Sequence, residues 1–185
     1  MQKLRDNADE LARGVRMFIM DVDGVLTDGR ILFVGDSEGV AFSVHDGTGI
    51  KYLQRCGVQT AIITGREVAA VRARARDLGI EHVVLGAKVK MQAYEEIRDR
   101  TGHEDEAVAY IGDDLPDIPV MRRVGLALTV PGAPTEVVET AHAVTGTPGG
   151  RGAVREAAEF ILRSQHKWER ILQRYLPPTE GEEPR

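Results

Sequence analysis

The segment FIMDVDGVLTD, residues 18–28, places three bulky apolar residues directly before a run that contains three carboxylates. The apolar part reads as a short buried strand, because a strand covered on both faces is continuously apolar rather than alternating. Asp21 and Asp23 then follow at the point where the strand ends. Because they are two residues apart, both side chains point toward the same side. The negative charge at the end of this buried strand predicts a functional site at that edge of the sheet rather than a packed core.

The rest of the chain alternates strand-like and helical segments. The β-rich runs lie at 15–23, which contains this strand, and at 58–65, 82–86, 107–114, 126–130 and 142–146. Amphipathic segments between them predict helices at 67–78, 90–100 and 117–124, each followed closely by a glycine, the expected helix stop. This order predicts an α/β fold with a doubly wound, mostly parallel, Rossmann-like sheet.

Two segments depart from this rhythm. Residues 30–45 contain two β-rich runs around a Gly-Asp-Ser-Glu-Gly turn, which predicts a β-hairpin inserted after the first strand. Residues 151–175 have a long helical pattern, and the tail from 176 to 185 is expected to fray. The predicted organisation is one domain over 15–162, followed by a C-terminal helix and tail over 163–185.

Composition excludes several classes of function. The chain has 185 residues, a formal net charge of -5 and a single cysteine, Cys56. Its basic residues are dispersed among acids, which argues against nucleic-acid binding, and no apolar run approaches the roughly 20 residues that span a bilayer. One cysteine excludes an internal disulfide framework, and the opening segment lacks the apolar region of a signal peptide. We therefore expect a cytoplasmic protein.

Polar groups recur where the predicted strands end. Asp21 and Asp23 follow the first sheet strand, Thr64 closes the second, Lys90 opens the helix after the third, and Asp113 closes the fourth. Ligands of open parallel sheets bind beyond the carboxyl ends of the strands. The sequence therefore predicts that these five side chains meet at one edge and form a reaction centre.

Their chemistry fits phosphoryl transfer. Crowded carboxylates need a cation, and Mg²⁺ prefers oxygen ligands, so Asp21 and Asp113 could hold that ion. Asp21 could also act as a nucleophile through an aspartyl-phosphate. Lys90 and Thr64 would supply charge and a donor to the phosphoryl oxygens. Asp23 could protonate the leaving alcohol and then deprotonate water.

These motifs resemble those of the haloacid dehalogenase superfamily of phosphohydrolases over roughly residues 15–130. The motifs that carry the resemblance are DVDGVLTD (21–28), ITGR (63–66), Lys90 and GDDLPD (112–117). The resemblance implies that Asp21 is both nucleophile and metal ligand and that the backbone carbonyl of Asp23 also binds the metal. It implies that Asp113 completes the Mg²⁺ site and that Asp114 or Asp117 supports it.

Within that superfamily the chain resembles the short, capless 3-deoxy-D-manno-octulosonate 8-phosphate phosphatases, which serve lipopolysaccharide synthesis. The stretches FSVHDGTGIK (42–51), ITGR and GGRGAVREAAEFIL (149–162) carry this likeness. It implies a sugar phosphate substrate, a homotetramer assembled by the hairpins, and a Gly-Gly tail that closes over a neighbour's site. By the same match, the resemblance implies a set of residues that bind or approach the sugar acid. Besides Asp23 and Lys90, they are Ser43, His45, Asp46, Gly47, Lys51, Arg66, Arg74 and Arg151.

Alternatives remain open at this point. The family commonly has Arg where His45 stands and a bulkier residue at Thr48, so a related substrate such as a nine-carbon sialic-type 9-phosphate is possible. Arg66 favours the octulosonate, because relatives acting on nine-carbon substrates often carry Glu there. From other classes, a receiver-type signalling module would place its phosphorylated Asp on a middle strand, and a non-catalytic oligomeric scaffold would not need every motif residue.

Overall fold

The computed structural model describes residues 1–35 and 37–176. Asp36, in the predicted hairpin turn, and residues 177–185 of the predicted frayed tail lie outside the described residues. Within the described residues, no helix has both the length and the apolar character needed to cross a membrane.

The core of the fold is a seven-stranded sheet in the order β1-β9-β8-β7-β2-β5-β6, and a separate two-stranded sheet pairs β3 with β4. The strands are β1 (Gln2–Lys3), β2 (Met17–Met20), β3 (Leu32–Val34), β4 (Ser37–Gly39), β5 (Gln59–Ile63), β6 (His82–Val84), β7 (Val108–Ile111), β8 (Leu126–Thr129) and β9 (Ala143–Val144). All neighbours in the large sheet are parallel except β1, which runs antiparallel to β9. The predicted doubly wound, mostly parallel α/β fold is confirmed.

Helices cover both faces of this sheet. They are α1 (Ala8–Gly14), α2 (Val44–Arg55), α3 (Ala69–Leu78), α4 (Lys90–Thr101), α5 (Ile118–Met121), α6 (Thr135–Thr140), α7 (Ala153–Ser164) and α8 (Trp168–Leu172). Single turns of 3-10 helix lie at Asp105–Ala107 and Leu115–Asp117.

Strand β2, which contains the apolar run at 18–20, lies in the centre of the large sheet. It pairs with β5 on one side and β7 on the other, and all four of its residues are buried. Phe18 and Met20 pack into the core on the side of α1, α2, α3, α7 and α8, whereas Met17 and Ile19 pack on the side of α4, α5 and α6. Two helical layers thus exclude water from both faces of the strand that carries Asp21 at its end.

The structure differs from the sequence prediction most clearly at α2. The hairpin was expected to continue to residue 45, but its strands end at Gly39 and a helix begins at Val44. Gly47 and Gly49 concealed this helix, because glycine is a poor helix former. Packing explains Gly49: a Cβ there would lie 2.8 Å from the Cα of Arg155 in α7, so only glycine lets the two helices approach so closely.

The C-terminal helical pattern is also divided. Instead of one helix over 151–175, α7 ends at Ser164 and α8 begins at Trp168. His166, between them, has a φ of 54°, in the left-handed region that interrupts a helix. Strand β1 and helices α1 and α6 were not predicted, because none of the three has more than seven residues and none carries a clear periodic pattern.

Candidate active site

The carboxyl ends of the central strands bring the predicted catalytic residues together. Asp21 directly follows β2, and its backbone N–H donates to the Ile111 carbonyl of β7 at 3.0 Å, so the parallel ladder continues one residue beyond the strand. Asp113 follows β7 and Lys90 begins α4. The register of the sheet therefore determines where these groups meet.

Lys90 is the cation at the centre of the cluster. Its Nζ lies 2.9 Å from Oδ1 of Asp21 and 2.6 Å from Oδ1 of Asp117, and all three side chains are buried. The two carboxylates hold the pKa of Lys90 above its ordinary value, although burial alone would lower it. Lys90 therefore remains charged inside the site.

Asp117 organises its surroundings with both of its oxygens. Oδ1 accepts hydrogen bonds from Lys90 and from the Tyr110 hydroxyl, and Oδ2 accepts from the backbone N–H groups of Asp113 and Asp114 at 3.2 Å each. The turn that carries Asp113 is thereby fixed to the amine that faces Asp21. Asp114 instead caps the following turn, where its Oδ1 accepts from the Leu115 N–H at 2.8 Å.

The carboxylates fit a divalent cation. One oxygen from each of Asp21, Asp113 and Asp117 lies within 4.8 Å of the others. Burial, reinforced by the charge of Asp117, raises the pKa of Asp21 to about 8 against the opposing effect of Lys90. Burial and Asp117 likewise raise the pKa of Asp113 to about 6. Because the oxygens of Asp117 are already engaged, Asp21 and Asp113 are the side chains that would hold Mg²⁺, an oxygen-seeking ion.

The predicted acid/base residue, Asp23, is held by an arginine. Nη1 of Arg66 lies 2.7 Å from Oδ1 of Asp23, and the other end of the guanidinium pairs with Glu38 on the hairpin. Thr64 is buried beside them, and its Oγ1 accepts from the Arg66 N–H at 3.2 Å. That acceptor role leaves the hydroxyl proton of Thr64 available to an anion.

Several residues matched to substrate binding instead connect helices within the single chain. Ser43 is the N-cap of α2 and its Oγ accepts from the Asp46 N–H at 3.5 Å. The side chain of Asp46 is buried and accepts from the backbone N–H groups of Gly152 at 3.2 Å and Arg155 at 2.8 Å. Asp46 thus caps α7 from another helix. Both of its oxygens therefore face α7 within this chain, and its contact with the sugar acid stays a prediction.

The other matched residues of α2 and α3 follow the same pattern. Lys51 Nζ donates to the Leu78 carbonyl at the end of α3 at 2.6 Å. Arg74 donates to the Ser43 carbonyl at 3.4 Å, and a Cβ at Gly47 would lie 2.3 Å from that guanidinium. Their polar groups therefore bind α2 to α3 within this chain, and their contact with the sugar acid stays a prediction. His45 is exposed on α2.

Arg151 does reach the site. It lines a cavity of about 340 Å³ whose wall also contains Arg30, Asp28, Asp113 and Gly149. Arg151 is mostly exposed, and its Nη2 lies 4.0 Å from Oδ2 of Asp28. This cavity gives a substrate direct access to the Asp113 carboxylate past two guanidinium groups.

Sequence reasoning missed three residues of the site. Tyr110 lies inside a strand, and nothing in the sequence shows that its hydroxyl binds Asp117. Glu38 reaches Arg66 only because the hairpin folds toward the strand ends, which the pairing pattern alone does not specify. Arg30 was placed within the hairpin segment, and its position beside the cavity could have been suspected from its closeness to Asp28 in sequence.

Comparisons with known proteins identify the family of the chain. A family model for haloacid dehalogenase-like hydrolases matches residues 45–125. The chain is 44% identical over 165 residues to the 3-deoxy-D-manno-octulosonate 8-phosphate phosphatase of Yersinia pestis, covering 89% of this chain and 88% of that protein. The Escherichia coli K12 enzyme of the same name is 42% identical over 164 residues, 87% of each chain.

A solved structure is similar over nearly the whole chain. It is the 3-deoxy-D-manno-octulosonate 8-phosphate phosphatase of Moraxella catarrhalis in complex with magnesium ion, phosphate ion and the octulosonate, with a TM-score of 0.90 and 37% identity. The match covers 93% of this chain and 100% of that one.

The capping role of Asp46 predicts a loss of stability on truncation. Asp46→Ala leaves the backbone N–H groups of Gly152 and Arg155 at the start of α7 without this acceptor, and we expect the free energy of unfolding to fall by about 1–3 kcal/mol. Urea unfolding followed by circular dichroism measures it. Asp99→Ala, on the exposed surface of α4, is the control and should change stability by less than about 0.5 kcal/mol. An Asp46→Ala value no larger than that of Asp99→Ala would contradict the capping role.

The raised pKa of Asp21 predicts that Mg²⁺ binding strengthens with pH. The folded, metal-free protein holds a proton on Asp21 that the unfolded chain releases near pH 4, so its stability falls as pH rises toward 8. Mg²⁺ must displace that proton, so its affinity should rise by up to about tenfold per pH unit between pH 6 and 8, then level off.

Thermal unfolding and calorimetric Mg²⁺ titration at pH 6, 7 and 8 measure both effects. We expect the metal-free Tm to decrease across this range while the increase caused by Mg²⁺ grows. Asp99→Asn should reproduce the wild-type pH dependence. An Mg²⁺ affinity that does not change between pH 6 and 8 would show that Asp21 is already ionised without metal.

Proposed function

The chain belongs to the 3-deoxy-D-manno-octulosonate 8-phosphate phosphatase family of haloacid dehalogenase-like hydrolases, and from that premise we propose that it hydrolyses this phosphate ester to the free sugar acid and phosphate. One observation carries the proposal: Lys90 lies 2.9 Å from Asp21 at the end of the central strand, beside Asp113. A nucleophile, a cation and a metal ligand are therefore assembled where an open parallel sheet binds its ligands.

The residues divide the reaction into two steps. Asp21 attacks phosphorus, the bond to the sugar oxygen breaks, and Asp23 gives that oxygen a proton. In the second step Asp23 takes a proton from water, the resulting hydroxide attacks the aspartyl-phosphate, and Asp21 is released. Lys90 and Thr64 stabilise the charge on the phosphoryl oxygens. When bound, Mg²⁺ would supply further charge neutralisation at those oxygens.

Contacts of Asp23 support its assigned role. The Arg66 guanidinium, 2.7 Å away, holds the carboxylate in one orientation. Asp23 is partly exposed, whereas Asp21 is buried, so water and a leaving alcohol can reach it. The two carboxylates therefore have environments suited to different tasks, one as nucleophile and one as proton carrier.

The cations around the cavity suit an acidic sugar. Arg30 and Arg151 line its wall next to Asp113, and guanidinium groups pair well with carboxylates. A substrate that carries a carboxylate as well as a phosphate can use both the strand-end cluster and these arginines. This agrees with the substrate named for the relatives at 42–44% identity.

We also propose a cytoplasmic location and a role in lipopolysaccharide synthesis. Cys56 is a free, buried thiol, which fits a reducing compartment such as the cytoplasm. The free sugar acid released there would serve lipopolysaccharide synthesis.

We expect the hairpin of β3 and β4 to form the contacts between the subunits of a homotetramer. Ile31, Leu32 and Phe33 are 47%, 52% and 71% exposed, and large apolar side chains together on a surface mark an interface. Light scattering of the purified protein should give four times the mass of one chain. Phe33→Asp should shift the mass toward smaller species, while Asp99→Asn should leave it unchanged. A monomeric mass for the wild-type protein would remove the tetramer.

Phosphate release tests the reaction and the substrate together. We expect purified protein with Mg²⁺ to prefer 3-deoxy-D-manno-octulosonate 8-phosphate over nine-carbon sialic-type 9-phosphates and hexose phosphates. Removal of Mg²⁺ with a chelator should abolish release. A different preferred sugar phosphate would retain the mechanism and direct attention to His45 and Thr48, whereas no release from folded protein would support a non-catalytic scaffold.

The same aspartate-to-asparagine change at two positions tests the nucleophile in this phosphate-release assay. Asp21→Asn replaces the nucleophile with an amide of the same shape, so turnover should fall at least about 1000-fold while the protein stays folded. Asp99→Asn makes the same change on the surface of α4 and should keep wild-type turnover. Normal turnover in Asp21→Asn, with the substitution verified by mass spectrometry, would exclude this nucleophile.

A further inference from the structure

Two glycines of the segment before α7 contact the loop after the nucleophile in the same chain. A Cβ on Gly149 would lie 1.7 Å from the carbonyl oxygen of Gly24, and a Cβ on Gly150 would lie 2.4 Å from the backbone N of Asp28. Both distances are far shorter than any side chain tolerates. The Gly149-Gly150 backbone therefore rests directly on the backbone of the 24–28 loop, with no side chain between them.

The opposite side of this loop rests on the candidate metal site. Gly24 has a φ of +83°, and a Cβ there would lie 1.9 Å from Oδ2 of Asp113. Three layers are thus in contact without intervening space: the Asp113 carboxylate, the Gly24 backbone and the Gly149 backbone. Interiors packed in this way transmit displacement, because neither layer has room to absorb it.

The glycine segment is itself anchored from two directions. The Gly150 N–H donates to the Val25 carbonyl at 2.9 Å, which ties the segment to the loop. Behind it, the buried Asp46 carboxylate accepts from Gly152 N–H and Arg155 N–H at the start of α7. The segment is held at both ends and can therefore serve as a fixed support.

We propose that Gly149 and Gly150 are positioning residues for the Mg²⁺ site: they support the 24–28 loop against Asp113 and set the distance between that loop and the carboxylate. The inference rests on the proposed Mg²⁺-dependent function. It assigns the Gly-Gly segment a role in its own subunit, separate from the closure over a neighbour's site that the family resemblance implies.

A Gly149→Ala substitution, which adds a single methyl group, tests whether Gly149 supports the 24–28 loop. Alanine at 149 requires the Gly24 carbonyl to move by more than 1 Å to reach an ordinary contact, and Asp113 occupies the space behind it. Ligand distances in metal sites tolerate changes of only about 0.2 Å. Gly149→Ala should therefore weaken Mg²⁺ binding, by about 10–100-fold as for other changes to residues that orient metal ligands.

Gly125→Ala is the matched control. A Cβ at Gly125 would lie 2.3 Å from the Glu106 carbonyl, which is also a prohibitive backbone contact, but Gly125 precedes β8 at the opposite end of the strand from the site. Gly146→Ala, whose Cβ would meet only ordinary contacts at 3.6 Å and beyond, controls for the substitution itself. Calorimetric Mg²⁺ titration and thermal unfolding are measured on wild type and all three variants.

We expect Gly125→Ala to lower Tm without changing the Mg²⁺ affinity, Gly146→Ala to change neither, and Gly149→Ala to lose Mg²⁺ affinity beyond what its Tm explains. Equal affinity in Gly149→Ala and wild type would overturn the inference and leave the proposed function intact, as would an equal loss in Gly125→Ala. A wild-type protein that binds no Mg²⁺ would overturn both.

A measurement on the wild-type protein covers the case in which Gly149→Ala does not fold. If the three layers are coupled, Mg²⁺ binding should slow hydrogen exchange of the Gly150 amide, which donates to Val25. Saturation with Mg²⁺ should reduce exchange of a peptide covering 148–152, while a peptide around Gly125 should not respond. No change at 148–152 on Mg²⁺ saturation would overturn the inference.

Discussion

The rest of the structure depends on one buried ion cluster, in which Lys90 lies between Asp21 and Asp117 beyond the end of β2. Buried charges are costly unless they are paired, and the single ammonium of Lys90 cannot neutralise Asp21, Asp113 and Asp117 if all three are ionised. Burial, reinforced by the charge of Asp117, raises the pKa values of Asp21 and Asp113, so their ionised forms are costly in the protein alone. A divalent cation held by Asp21 and Asp113 would offset that cost, and the cation together with Lys90 would in turn favour an anionic substrate.

Glycine supplies the space that this cluster requires. A Cβ at Gly112 would lie 2.4 Å from Cγ of Asp117, and one at Gly24 would overlap Asp113. Side chains at these positions would separate the acidic groups and weaken their interaction with a common ion. The Gly149-Gly150 segment extends this arrangement to the other side of the 24–28 loop. Close packing of backbone, rather than additional ligands, determines the size of the site.

The sequence allowed prediction of the catalytic edge because its logic is topological. Once 18–20 is recognised as a buried parallel strand, Asp21, Thr64, Lys90 and Asp113 must meet, since carboxyl ends of parallel strands share one edge. The surroundings could not be predicted in this way. Whether Asp46 faces a ligand or a helix end depends on the packing of α2 against α7. Gly49, which permits this packing, is one of the two glycines that concealed α2.

The hairpin is linked to the predicted acid/base residue through a chain of contacts. Glu38 on β4 pairs with Arg66, and Arg66 in turn holds Asp23. The hairpin also presents Leu32 and Phe33 to solvent, so its position in isolation is determined by few apolar contacts. A partner that packs on these side chains would fix the hairpin, and the ion pairs would carry that constraint to the proton-transfer residue. In the proposed tetramer, the orientation of Asp23 would therefore depend on the state of assembly.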